Sequence, residues 1–125
     1  MVICDGIWRD FGTGKRFILG CFSVLHARRF PATHPVMGLY VAITNGRGTV
    51  PVKVCLVDVD EEREPLWFAE GEVEFSDPRA VIEMDFMMAG VTFPAPGEYR
   101  FQFYASGALI MERRILVNEL PEVSS

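Results

Sequence analysis

The chain has 125 residues and a formal net charge of −5, and 50% of its residues are apolar while 23% are charged. This length suits one domain with a single core, and the composition excludes an intrinsically disordered chain. The negative charge repels phosphate backbones, which argues against nucleic-acid binding, and no apolar run approaches the roughly 20 residues that cross a bilayer, so no membrane partner is expected.

The first residues predict an N-terminal β-hairpin. A strand over Val2 to Trp8 is followed by turn residues between Asp10 and Gly14, and the chain returns through Arg16 to Leu25. The start of the sequence offers neither a basic leader nor the apolar run of a signal peptide, so we expect a cytoplasmic protein.

Three cysteines, Cys4, Cys21 and Cys55, occur without a CxxC motif and without a histidine at ligand spacing, so no zinc site is expected. The hairpin sets Cys4 opposite Cys21, at a Cα separation of ~4.5 to 5.5 Å that a disulfide can span. Two interpretations remain: a cross-strand disulfide, or reduced thiols that pack as small buried apolar groups. The lack of an export signal favours the reduced thiols.

The next segments predict a loop and two strands. Two prolines and two histidines mark His26 to Pro35 as a connecting loop, because each proline removes a donor from a strand ladder. Met37 to Thr44 resume as a strand, and the turn Asn45 to Gly48 leads into a strand over Val52 to Val59.

An acidic cluster ends this strand and precedes Pro65. Carboxylates that converge on a loop can bind calcium, but the EF-hand pattern is absent, and a solvated acidic loop is favoured. The cluster consists of Asp58, Asp60, Glu61, Glu62 and Glu64.

Two alternating strands follow, over Trp67 to Phe75 and over Val81 to Met88. Their polar faces carry Glu70, Glu72 and Glu74 in the first and Glu83 and Asp85 in the second. A tight hairpin would set these carboxylates opposite one another, and like charges across a ladder are destabilising. We therefore predict that the two strands lie in different sheets. The glutamate row is either an ordinary wet strand face or a surface for a basic partner.

The last third predicts a closing hairpin. A proline-rich corner from Phe93 to Gly97 leads into a strand over Arg100 to Ala105, and the chain turns and returns through Leu109 to Val117. Tyr99 follows the corner directly, where immunoglobulin-type domains carry a tyrosine corner whose hydroxyl bonds the upstream backbone.

Together these elements predict an all-β fold, an antiparallel β-sandwich of the immunoglobulin-like type with about eight strands and an N-terminal hairpin. The single domain is expected over residues 1–118, with a frayed C-terminal tail at 119–125.

The sequence carries no recognisable catalytic set. Nucleophilic catalysis needs a nucleophile beside an oriented base, and the two histidines, His26 and His34, have no motif spacing. The segment Gly12 to Lys15 lacks the spacing of a phosphate-binding loop. We expect no catalytic residue, no cofactor and no metal, and hence a protein that is not an enzyme.

Aromatic residues are abundant, with 10 Phe, 3 Tyr and 2 Trp. Most are expected in the core, with Tyr99, Phe101 and Phe103 on one face of a strand, while Phe68, Tyr104 and Tyr40 point the other way. These outward rings form an interaction surface if they cluster, or they are covered by the N-terminal hairpin.

The chain resembles, over nearly its whole length, a family of short bacterial all-β proteins of unknown function. The resemblance rests on Ile3-Cys4-Asp5, Gly12-Thr13-Gly14-Lys15, Leu19-Gly20, Phe30-Pro31 and the run from Phe93-Pro94 to Tyr99. It implies an all-β fold and no particular chemistry. Val81 to Val117 separately resemble the last strands of fibronectin type III and other immunoglobulin-like modules, and a shared fold does not establish a function.

Three functions remain open. The leading hypothesis is an interaction module that binds another protein, or a second copy of itself, through a sheet face or an exposed edge strand. The second is a small-ligand or carbohydrate binder with a pocket near His26 to His34. The third and least favoured is an enzyme that uses one of the two histidines as a general base.

Overall fold

The computed structural model describes residues 1–59 and 64–121, which form β-strands and connections and contain no helix. The predicted all-β class is confirmed, with nine strands over the described ranges where about eight were predicted. The strands are β1 (Val2–Arg9), β2 (Arg16–Cys21), β3 (Val24–Ala27), β4 (Ala32–Ile43), β5 (Gly48–Asp58), β6 (Trp67–Phe75), β7 (Ile82–Phe93), β8 (Gly97–Ala105) and β9 (Ala108–Glu119).

The strands form two sheets. The four-stranded sheet has the order β2-β1-β4-β7, and the five-stranded sheet has the order β3-β9-β8-β5-β6 and is curled into a half-barrel. Neighbouring strands are antiparallel except β3 and β9, which are parallel. β6 and β7 lie in different sheets, as the opposition of their carboxylates predicted.

One core lies between the sheets. Alternate residues of β5 and β8 point inward because successive side chains of a strand face opposite sides. The buried cluster joins both sheets and includes Ile3, Met37, Leu39, Val41, Val54, Leu56, Met88, Phe93, Tyr99, Phe101, Phe103 and Ile115. Trp67 packs edge-on against Phe101, with ring centroids 6.5 Å apart, so it closes the core on the side of β6.

The prediction of a loop over His26 to Pro35 is wrong for most of that stretch, because β3 ends at Ala27 and β4 already begins at Ala32. Proline is tolerated inside β4 for a local reason. β1 pairs with β4 only at residues 38–40, so one edge of β4 has no ladder at Pro35 and the missing donor removes no strand pairing there. On the other edge Pro35 faces Gly90, whose φ of 67° marks an irregularity in β7.

The sequence predicts a frayed tail at 119–125, and β9 extends to Glu119, the first residue of that segment. Asn118 and Glu119 lie in β9, and the amide of Leu120 donates to the carbonyl oxygen of Ala27 at 2.8 Å. Residues 122–125 lie outside the described residues. Among the described residues, no helix has the length and apolar character needed to span a bilayer.

Candidate interaction surfaces

The predicted N-terminal hairpin is present, with Trp8 opposite Phe17 and Gly6 opposite Leu19. Asp10 organises its turn: the Thr13 hydroxyl donates to the Asp10 carboxylate at 2.8 Å, and the amide of Gly12 donates to the same carboxylate at 3.2 Å. These bonds stabilise the ionised carboxylate and lower the pKa of Asp10.

The hairpin folds back toward the outer face of β4 and β7, the other two strands of the four-stranded sheet. Arg16 of β2 donates to Asp85 of β7 at 2.8 Å and lies 3.3 Å from Glu83. Ile7 approaches the sheet beside Gly38, where a side chain larger than hydrogen would contact it. The hydroxyl of Tyr40 donates to Glu83 at 2.7 Å, and this bond raises the pKa of Tyr40 because it favours the neutral phenol.

The other face of the hairpin is apolar and open to solvent. Trp8 and Phe17 are 53% and 46% exposed, and their ring centroids are 5.1 Å apart. Leu19 on the same strand as Phe17 is 57% exposed, and Phe11 in the turn is 97% exposed. We call Trp8, Phe11, Phe17 and Leu19 the hairpin patch. Patches of this kind on a folded domain mark contacts with other molecules.

Sequence reasoning missed the hairpin patch because it considered the hairpin only as an element that covers other aromatic residues. It did not consider the hairpin itself as an interaction surface. The signal was present: β1 and β2 are apolar on both faces, whereas a hairpin that packs on a sheet needs only one apolar face. An excess of apolar residues on the second face indicates a second contact.

Cys4 and Cys21 stand opposite each other, as predicted, and all three cysteines are free thiols. Cys4 is buried, and its thiol donates to the carbonyl oxygen of Gly38 at 3.5 Å. Cys55 is buried too, whereas Cys21 is exposed, so the expectation of three buried thiols is wrong for Cys21. Gly20, the residue before Cys21, has a positive φ of 66°.

Alkylation of the folded protein by iodoacetamide at pH 8 is expected to modify Cys21 first. Burial raises the pKa of Cys4 and of Cys55, so both have less thiolate, and both are shielded from the reagent. Mass spectrometry should find one rapid modification in the folded chain and three in urea. Rapid modification of Cys4 would contradict this packing.

The two histidines lie in different sheets. His26 is exposed on β3, and His34 is half-buried on β4, where its ring centroid lies 5.8 Å from that of Phe22. The structure therefore does not join them into one loop pocket. Within residues 1–59 and 64–121, no group of three His, Cys, Asp or Glu side chains has the geometry to hold a metal ion.

The three aromatic residues that the sequence singled out do not form one cluster, because Tyr40 lies in a different sheet from the other two. Tyr40 lies on the outer face of the four-stranded sheet, while Phe68 and Tyr104 lie on the outer face of the five-stranded sheet on either side of β5. Phe68 is 59% exposed, and Tyr104 is half-buried. Tyr99 is buried, and its hydroxyl donates to the carbonyl oxygen of Ala95, four residues upstream.

An open concavity of about 870 Å³ lies on the outer face of the five-stranded sheet. Its lining includes Lys53, Cys55, Glu70, Gln102 and Tyr104. The Tyr104 hydroxyl donates to the Gln102 side-chain oxygen at 3.0 Å, and the Gln102 amide donates to Glu112 at 2.8 Å. Arg100 continues the network by donating to Glu112 at 3.2 Å.

The acidic cluster cannot be located as a unit. Asp58 lies in β5 and Glu64 is exposed, whereas Asp60, Glu61 and Glu62 lie outside the described residues. The glutamate row of β6 is described in full, and Glu70, Glu72 and Glu74 are all exposed along that strand.

The chain was compared with models of protein families. The model of a family of unknown function, DUF6941, matches residues 1–118, so the chain belongs to that family. No curated protein matches the chain. The family has no assigned function, and its match covers the strands of both sheets.

Proposed function

We propose that this member of the DUF6941 family is a protein-interaction module, not an enzyme, and that its N-terminal hairpin binds a second copy of the chain. The observation that carries the proposal is the free edge of β2, which borders the solvent-exposed hairpin patch. An exposed apolar edge strand is a template for pairing with another chain.

The β2 edge lacks the charges that usually protect an edge strand. Its one charged residue, Arg16, is turned toward Asp85 and Glu83, and Phe17 to Cys21 contain no charge. Lysines, prolines and inward charges are the common means of blocking edge-to-edge pairing. β2 has none of them beyond Arg16.

The same edge is complementary to itself. Antiparallel pairing of two β2 strands about Ile18 sets Phe17 of each copy opposite Leu19 of the other, and like charges do not meet. Such a two-fold contact uses one surface twice, as in most homodimers. Cross-strand aromatic and aliphatic pairs each stabilise by about 0.2–1 kcal/mol, and burial of the hairpin patch adds to that.

Light scattering across a concentration series tests the proposal. We expect the mass to rise from the 14.1 kDa of one chain toward twice that value. Phe17→Lys and Leu19→Lys place a solvent-facing charge on the edge and should weaken self-association at least ~10-fold, about 1.4 kcal/mol. Phe68→Lys is the matched control, because it makes the same kind of change at an exposed residue of the other sheet.

Two results would contradict the proposal. One is a constant monomer mass over the whole series. The other is a dimer that Phe68→Lys disrupts and Phe17→Lys does not. Thermal melts of each variant report whether the monomer remains folded.

We further propose that the two sheets form an immunoglobulin-like sandwich. The support is the strand order, in which the closing strand β9 is flanked by β8 and, in parallel, by the short early strand β3. The Tyr99 hydroxyl that bonds Ala95 has the geometry of a tyrosine corner.

A cytoplasmic location is proposed as well. It is supported by the free thiols of Cys4 and Cys21, which stand directly opposite each other and have not formed a disulfide.

A second candidate function is supported by the concavity on the five-stranded sheet. Its Tyr104 ring, Gln102 amide and Lys53 ammonium combine an apolar surface with polar groups, as small-ligand and carbohydrate sites do. The lining of this concavity does not include His26 or His34, near which the sequence analysis expected a pocket. A saturable thermal shift with one sugar of a panel, lost in Tyr104→Ala, supports this candidate.

A further inference from the structure

Like β2, the strand β6 is a free edge, and its outer face carries a row of glutamates. It lies at the end of the five-stranded sheet and pairs with β5 along its whole length, from Trp67 opposite Leu56 to Phe75 opposite Gly48. Its other side has no neighbouring strand in the sheet. The backbone groups on that side are therefore available to an added strand.

The outer face of β6 carries carboxylates without cations. Glu70, Glu72 and Glu74 make no ion pair with any residue of the described ranges, although Lys53 stands opposite Glu70 in the ladder. Several carboxylates of other strands are paired. Asp85 and Glu83 bind Arg16, and Glu98 and Glu112 bind Arg100.

The inner face beside the same edge is apolar and open. A slot of about 340 Å³ separates β6 from β7, the neighbouring strand of the other sheet. Ala69 and Val73 of β6, Met84 and Phe86 of β7 and Val54 of β5 give it a mostly apolar lining, which Glu70, Glu72 and Asp85 complete. Trp67 closes one end through its edge contact with Phe86, at a centroid distance of 6.1 Å.

These two faces define the strand that fits. Consecutive side chains of an added strand alternate between the outer face and the slot. The residues on the outer face would lie beside the three glutamates, and the residues between them would enter an apolar space. We propose that the β6 edge binds an extended segment of a partner protein in which basic and apolar residues alternate.

A second copy of β6 does not meet this requirement. Antiparallel pairing of two β6 strands sets glutamates opposite glutamates, and like charges across a ladder are destabilising. The β6 edge therefore disfavours self-pairing and selects a basic partner, whereas the apolar β2 edge favours pairing with a second copy of itself. This inference is independent of the proposed self-association, because the two edges lie in different sheets.

Fluorescence anisotropy with a labelled peptide that alternates lysine and valine over nine residues, the length of β6, tests the inference. A peptide with the same composition but all lysines in one block is the control for charge alone, and a peptide that alternates glutamate and valine is the control for sign. We expect saturable binding of the alternating basic peptide, at least ~10-fold tighter than either control and weakened by salt.

The triple variant Glu70→Gln, Glu72→Gln and Glu74→Gln should weaken this binding at least ~10-fold while its thermal melt stays cooperative. Glu119→Gln, an exposed glutamate at the end of β9, is the matched control and should leave the binding unchanged. Equal binding of the blocked and alternating lysine peptides would overturn the inference, as would full binding by the triple variant. Titrating the Phe17→Lys protein in parallel separates this result from the outcome for self-association.

Discussion

Replacing Phe101 by alanine is expected to lower the free energy of unfolding by about 3–5 kcal/mol. Phe101 is fully buried, with 0% exposure, and lies where the inner faces of both sheets meet. Its truncation removes the apolar burial of the ring and the edge contact with Trp67, and the rigid strands around it leave a cavity. Urea unfolding followed by tryptophan fluorescence measures the loss.

Phe68→Ala is the control for this prediction, because it removes the same side chain from an exposed site on the same sheet. Surface substitutions usually change stability by less than about 0.5 kcal/mol, and the control should lie near that range. A loss for Phe68→Ala as large as that for Phe101→Ala would contradict the single core between the two sheets.

Replacing Gly46 by alanine is expected to lower the free energy of unfolding by about 1–3 kcal/mol. A β-carbon at this position would overlap the ring of Phe75, which is buried at the end of β6. The ring must shift, and overpacking of a buried aromatic side chain displaces its neighbours. Urea unfolding of the variant gives the magnitude.

Gly71→Ala is the matched control, since a β-carbon on Gly71 meets no atom within 4 Å and Gly71 lies in the same strand as Phe75. Because alanine has less backbone freedom than glycine in the unfolded chain, the control should be neutral or slightly stabilising. Equal destabilisation by both substitutions would mean that the overlap with the Phe75 ring is not the cause of the lost stability.

Much of the architecture was predictable because alternation and charge constrain strands strongly. The pattern from Trp67 to Phe75 defines a strand with one apolar face, and repulsion between its glutamates and those of the next strand separates β6 from β7. A turn around Gly12 and Thr13 likewise predicted the register that sets Cys4 opposite Cys21.

Other features depended on long-range contacts. Pro35 indicates a loop when only its missing donor is considered, and its place inside β4 follows from the shortness of the β1 ladder. The path of the hairpin depends on Arg16 reaching Asp85, at a sequence separation of 69 residues that no local pattern encodes. The apolar residues on both faces of the hairpin were visible in the sequence, but the face that stays exposed follows from that path and could not be predicted.

The β2 edge is expected to associate with a second copy of the chain, and the β6 edge is not. Amide hydrogen exchange at a low and a high protein concentration distinguishes the two edges. We expect amides of residues 17–21 to exchange more slowly at the high concentration, where the mass has doubled, and amides of residues 68–74 to be unchanged. Slowing confined to residues 68–74, with residues 17–21 unaffected, would contradict it.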